Sequence, residues 1–205
     1  MPTQRTSRPD LHRAILDAAR ALLHRDGYAG LSMRNIAGAI GYSATSIYLH
    51  FENKEALFNA LIDEGMGLLH EDLDAVEASG GHVLDRFRAL CDRYMQFGLR
   101  RPEYYEIMFL LHPERNARFP VDMYRRARRN LDYMVHVLRE GRQQGFFVVE
   151  DIRVAASGIW ASLHGAVSLL LAQRIDVGIN RESFIAAVIQ QQVQSVTAAM
   201  PAVSR

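Results

Sequence analysis

An all-α fold is predicted by three observations. Apolar residues recur at three- and four-residue spacing along most of the chain. Capping residues stand where those patterns begin, and glycines stand where several of them end. The one stretch that resembles a strand, Phe146 to Val149, is four residues long with no partner run, so it is expected to be a connection. With 205 residues, 49% of them apolar, the chain can form one large domain or two small ones sharing an interface. The patterning predicts an N-terminal domain of three helices over 1–55. A long helix should join it to a helical domain over 56–205.

The first helix is expected after Ser7-x-x-Asp10, which reads as a capping box with Pro9 in the first turn. Leu11, Ala14, Ile15, Ala18, Ala19 and Leu22 carry it to Asp26-Gly27. Ser32 can then cap a short helix that turns Ile36, Ala37 and Ile40 to one side, and Gly41 supplies the positive φ of a sharp turn. Ser43 caps a second short helix, with Ile47 inward and Thr45, Ser46, Tyr48 and His50 outward. Two short helices about a tight turn make a helix-turn-helix, whose second helix enters the DNA major groove while the first crosses the backbone. The charge distribution agrees: residues 1–54 hold seven Lys/Arg against four Asp/Glu, and the remainder 17 against 19.

The stretch Leu31 to Phe58 also resembles the DNA-binding domain of the tetracycline-repressor (TetR) family. The matching residues are Ile36-Ala37, Gly41, Ser43, Ile47-Tyr48, Phe51, Lys54-Glu55 and Leu57, at that family's spacing. Short polar side chains early on a recognition helix read base edges, which nominates Thr45 and Ser46, and Ala44 could meet a thymine methyl. Tyr48 and His50 resemble the family's backbone-contacting positions, although both could instead pack between helices. Ser32, Arg34 and Tyr42 are further phosphate candidates. Lys54 follows Asn53, a candidate cap, so an ammonium and a helix N-terminus would face one phosphate together. Arg5 and Arg8 form either a frayed tail or an arm that orders on DNA.

From Asn53, Leu57, Leu61, Leu68 and Leu69 continue a helical pattern towards Val76 and Ser79-Gly80-Gly81, about 25 residues or roughly 37 Å. Gly65 and Gly67 within it imply either close packing or a bend. Residues 82–112 read as a helix through Val83, Phe87, Leu90, Cys91, Tyr94 and Phe97, stopped at Pro102. A short helix over Glu103–Leu111 follows, crowded with Tyr104, Tyr105, Met108 and Phe109. Pro113 to Pro120 is expected to be a loop. Ala127, Leu131, Met134, Val135 and Leu138 mark a helix ending near Gly145, with Arg125, Arg126, Arg128 and Arg129 on a solvated face. Ile152 to Arg174 has a small-residue face (Gly158, Ala161, Ser162, Gly165, Ser168) and a bulkier stripe (Trp160, His164, Val167, Leu171). The last helix, from about Glu182 to Met200, carries Phe184, Ala187, Val188, Gln191 and Val196.

Several function classes are poorly served. No apolar run reaches the length of a membrane span, and the N-terminus lacks the apolar core of a signal peptide. The single Cys91 cannot form an internal disulfide, which fits a reducing cytosol. There is no βαβ unit for a nucleotide, no Cys-x-x-Cys and no helical His pair for a metal. Nor does a nucleophile–base–acid set assemble, so neither an enzyme nor a cofactor is expected. Cys91 reads as a small core residue, and His164 beside Trp160 as a buried core histidine unless it anchors a ligand.

Trp160 to Gly165 resembles a Trp…His-Gly signature in the C-terminal half of one TetR subgroup. That likeness, with the local chemistry, nominates Phe97, Tyr104, Met108, Trp160 and His164 as the lining of an apolar effector pocket. The resemblance implies a cytoplasmic homodimer held by the helices at about 152–173 and 182–200. It implies a repressor that binds a near-palindromic operator and is released by a mainly apolar small molecule. The alternative is a DNA-binding regulator without an effector, its C-terminal domain serving dimerisation or a protein partner.

Overall fold

The computed structural model describes residues 10–110 and 121–197. Arg5 and Arg8, the Pro113–Pro120 stretch and the expected helix end at Met200 lie outside those residues. Among the described residues the regular structure is helical: α1 Leu11–Gly30, α2 Met33–Ile40, α3 Ala44–Tyr48, α4 Lys54–Ser79, α5 Val83–Arg100, α6 Pro102–Tyr105, α7 Val121–Gln143, α8 Ile152–Leu171 and α9 Arg181–Val196. A π-helical turn, Glu106–Leu110, extends α6. The expected all-α class holds.

Packing divides the chain into two units, Met1–Gly65 with Glu103–Arg118, and Met66–Pro102 with Phe119–Arg205. The expected boundary at residue 55 falls inside the first unit, which also takes in a later piece of chain. In this unit α1 is capped by Asp10, whose carboxylate accepts from His12 N–H at 3.1 Å; the expected Ser7 cap lies outside the described residues. The helix breaks at Gly27, where φ is 66°, close to the expected end. Ile15, Leu16, Ala19, Leu22 and Leu23 bury one face in a core shared with Ile36, Ala37, Ile47, Phe51, Leu57 and Leu61.

The later segment is held there by side chains that local patterning does not pair. Arg20 Nη1 donates to Tyr104 Oη at 2.5 Å, and His24 meets Glu106 at 3.2 Å. Arg13 bridges Asp17 and Glu64. A methyl group at Gly65 would lie 2.5 Å from Met108 Sδ and 3.2 Å from Tyr104 Cδ1, whereas one at Gly67 would meet nothing within 4 Å. Close packing therefore accounts for Gly65 and not for Gly67.

The second unit is built on α5, α7, α8, α9 and the end of α4. Phe87, Leu90, Cys91, Val137, Leu138 and Val167 are almost wholly buried, and burial pushes the Cys91 thiol up to about 12, so it is a packing residue. Arg86 ties α4 to α7 through Glu77 at 3.2 Å and Glu140 at 2.7 Å. The connection after α7 is pinned by Phe147, whose ring fills the space that a side chain at Gly141 would occupy. It has a partner after all: Phe147 forms a single antiparallel bridge with Thr197, and Val148 N–H donates to Val196 O at 2.7 Å.

Two expectations for the last helices need correction. Gln192, not Gln191, is the buried glutamine of α9, because its amide donates to Ser162 Oγ of α8 at 2.8 Å. And α8 is long and apolar enough to cross a membrane by length and composition, with a mean hydropathy of 1.6, contrary to the expected lack of any such run. Its alanines and glycines weaken the appearance of an apolar run but not the average. Only 28% of that window is buried. The buried stripe is Ala156, Ile159, Leu163, Ala166 and Val167, a spacing of three, four, three and one.

Candidate nucleic-acid interface

The helix-turn-helix is set by short local bonds. Ser32 Oγ accepts from Asn35 N–H at 3.1 Å, Gly41 takes the left-handed conformation at φ 72°, ψ 31°, and Tyr42 N–H closes on Ala37 O at 2.9 Å. Ser43 Oγ accepts from Ser46 N–H at 3.2 Å, and each such cap contributes about 1 kcal/mol. Asn53 Oδ1 accepts from Ala56 N–H at 2.7 Å and so starts α4. Five-residue α3 has little stability of its own; Ile47, fully buried, anchors it.

Around that anchor the expected DNA residues divide. Arg34, Tyr42, Thr45, Tyr48 and His50 are exposed, while Ser32, Ala44, Ser46 and Lys54 are half-buried. Tyr48 at 55% exposure does not pack between helices. His50 is exposed too, its ring 6.1 Å from that of His12. Ser46 is partly committed, with its hydroxyl 2.9 Å from that of Ser43. Lys54 is the largest departure: its ammonium donates to Tyr28 O at 2.5 Å and sits 3.9 Å from the centre of the Tyr28 ring. It fastens α4 to the end of α1, so reaching a phosphate would require leaving or sharing that site. Burial, then the Glu55 charge, raises the Tyr28 phenol above its usual value.

Sequence patterning passed over two residues on this surface. His12 stacks on Phe51 with ring centres 4.9 Å apart, and Leu49 is 83% exposed. A lone histidine in an N-terminal turn and a leucine in an apolar-polar mixture carry no periodic signal, so neither was legible.

The five expected effector residues fall into different units. Tyr104 and Met108 belong to the first, where they hold α6 against α1 and α4. Phe97, Trp160 and His164 belong to the second. There, Trp160 Nε1–H donates to Tyr94 Oη at 3.0 Å, Tyr94 Oη lies 3.5 Å from His164 Nδ1, and the Trp160 and His164 rings stack at 5.5 Å. Tyr94, read only as an apolar-face residue, is the hub of this cluster. Trp160 is 40% exposed, not on a buried stripe, and burial lowers the His164 imidazole below its ordinary value. Phe97 is buried with the Arg101 guanidinium 5.4 Å from its ring centre. Among the described residues no group of three or more His, Cys, Asp or Glu could hold a metal.

Comparison with known proteins places this geometry. Residues 15–61 match the family described as bacterial regulatory proteins, tetR family, and residues 87–192 match the tetracyclin repressor-like C-terminal domain. Tetracycline repressor protein class D of Escherichia coli is 36% identical over 58 residues, 28% of this chain and 27% of that protein. The match thus spans about a quarter of the length of such curated relatives. A solved Rhodococcus protein of unknown function superposes with a TM-score of 0.81 at 24% identity, covering 96% of this chain and 100% of that one. The transcriptional regulator FadR of Bacillus subtilis, solved with stearoyl-CoA, gives 0.72 at 18% identity, covering 90% and 98%; at such identities the likeness concerns the fold. The matched families and curated relatives are transcription regulators and not enzymes. With one family match over the helix-turn-helix and a second over half of the chain, the protein belongs to the TetR family of transcriptional regulators.

Proposed function

We propose that the protein is a homodimeric, ligand-responsive repressor acting in the cytoplasm. Each subunit places α3 in one half of a near-palindromic operator, with Thr45 and Ser46 at base edges and Ala44 against a thymine methyl. Tyr48, His50, Ser32, Arg34, Tyr42 and Lys54 hold phosphates. The observation that carries the DNA reading is the arrangement of α3 and the turn after it, one buried isoleucine with Thr45, Tyr48 and His50 turned to solvent. Dimerisation through α8 and α9 is supported by the apolar composition of α8 against its low burial. Gly158 and Gly165 have open space where a side chain would stand.

The effector is a mainly apolar molecule whose polar group is received by the Tyr94–Trp160–His164 cluster, and it favours a dimer whose recognition helices no longer fit successive major grooves. A second reading keeps DNA binding and dimerisation without an effector. It is favoured by the commitment of Tyr104 and Met108 to holding α6. Footprinting the protein on the DNA upstream of its own coding sequence tests the first claim: two protected patches about one helical turn apart are expected, and no protection anywhere counts against it. A thermal-shift ligand screen followed by operator release separates the two readings.

A further inference from the structure

Among the described residues of the first unit, the exposed large apolar or aromatic side chains are Tyr42, Tyr48, Leu49 and Leu110. Three of the four crowd onto α3 and the turn before it. The tyrosines carry hydroxyls that suit phosphate, but Leu49 offers only carbon, and at 83% exposure it contributes almost nothing to the core. Exposed leucines are common singly; the position of this one is informative.

Leu49 N–H donates to Thr45 O at 3.3 Å, so the backbone at Leu49 completes the last turn of α3. At about 100° per residue, Thr45 and Leu49 share a stripe, each about 200° around the helix from Ile47. Ile47 is fully buried, so this stripe points directly away from the core. Thr45 is already the base-edge candidate, which places Leu49 one turn further along the same line. A leucine cannot pair with the donors and acceptors of the major groove; the apolar group displayed there is the 5-methyl of thymine.

We propose that Leu49 is a specificity-determining residue that reads a thymine methyl in each operator half-site. The inference rests on the reading that α3 enters the major groove. It adds a sequence demand, a dT at one fixed position, that Thr45 and Ser46 do not impose. Ala44 lies at the other end of α3, so any dT that it reads is a different one.

The test uses the full-length protein and a duplex recovered from a random pool by selection for binding. Each dT is replaced in turn by deoxyuridine, which removes only the methyl group. Losing one buried methyl corresponds to about a fourfold loss of affinity per half-site. The expected result is one dT per half-site where deoxyuridine weakens the wild type by about that factor, while Leu49→Ala binds both duplexes equally there. Leu49→Met should keep the preference, and a dT read by Ala44 should keep its deoxyuridine penalty in Leu49→Ala. An unchanged circular-dichroism spectrum and unchanged affinity of Leu49→Ala for random DNA show that the fold and phosphate grip are intact. Equal deoxyuridine penalties at every position in wild type and Leu49→Ala overturn the proposal, as does a loss in Leu49→Ala that is as large on random DNA. A selection that recovers no preferred sequence sinks the parent reading of α3 instead.

Discussion

Helices α3 and α8 each bury a minority of their residues, and what they leave outside differs. Around one buried isoleucine, α3 and the residues flanking it expose hydroxyls, an imidazole and phenols. Around its stripe of Ala156, Ile159, Leu163, Ala166 and Val167, α8 exposes Gly158, Ala161 and Ser162 together with Val154. A hydroxyl and imidazole surface suits a polyanion that accepts hydrogen bonds and carries grooves. A surface of small residues flanked by the exposed apolar side chains Val154 and Leu169 suits a second helix that covers them. Two equally short-buried helices thus point to different partners, and composition of the outward face, not the degree of exposure, tells them apart.

The sharpest way to break this comparison is to remove the anchor of one helix and leave the other. Ile47→Ala should cost about 2–4 kcal/mol through the cavity that it leaves. It should abolish operator binding while the oligomeric state by sedimentation stays as in wild type. Joint loss of both would mean that the two helices are not independent. Next in size is Ala161→Leu, which puts bulk on the outward face of α8 at a cost of about 1–3 kcal/mol to any helix packed there. Because Ala161 is exposed, thermal stability of the isolated subunit should be unaffected. A melting temperature that falls in a protein that remains dimeric would assign that face to contacts within the subunit.

Smaller effects distinguish residues within α3 and its surroundings. Thr45→Ala should cost about 1–3 kcal/mol on the operator and little on random DNA, and equal losses on both would remove it from base reading. Lys54→Ala should weaken binding to all DNA and reduce the magnitude of the log–log salt slope by about one. Since Lys54 also grips Tyr28, the variant should melt earlier; an unchanged salt slope would leave it that fastening role alone. The smallest effect concerns His164. Its folded-state value is lowered by burial, so the neutral form is favoured and its share of stability is present above the ordinary value of about 6.5. That share is lost as pH falls through the lowered folded value. His164→Gln should flatten the stability–pH curve below neutrality; an identical curve would show that His164 is not held neutral.

How much of this was legible in the sequence depended on range. The caps at Ser32, Ser43 and Asn53 and the turn at Gly41 pair residues three to five apart, so residue type and spacing suffice to read them. The inward turn of Ile47 follows from the same arithmetic. The return of Glu103–Arg118 to the first unit does not, because it depends on Arg20 meeting Tyr104 and on the room that Gly65 leaves for Met108, and no periodicity encodes such pairs. The core stripe of α8 was misjudged because a helix apolar nearly all round has no contrasting face to mark its orientation. Gln192 was missed by one position for a related reason: its burial is licensed by the Ser162 hydroxyl on another helix. In the candidate site, the residues proposed for DNA were readable from the motif, while Leu49 needed the knowledge that nothing covers it.

Sedimentation equilibrium of wild type and Ala161→Leu, alone and with the selected duplex, tests most directly whether α8 takes a second copy while α3 takes DNA. The account predicts that the wild type has twice the 23.2 kDa chain mass and binds one duplex per dimer. Ala161→Leu should run at the single-chain mass, keep its helical spectrum and lose the operator, since one half-site is a weak anchor. A wild type that sediments as a single chain and still binds the duplex with full affinity would contradict it.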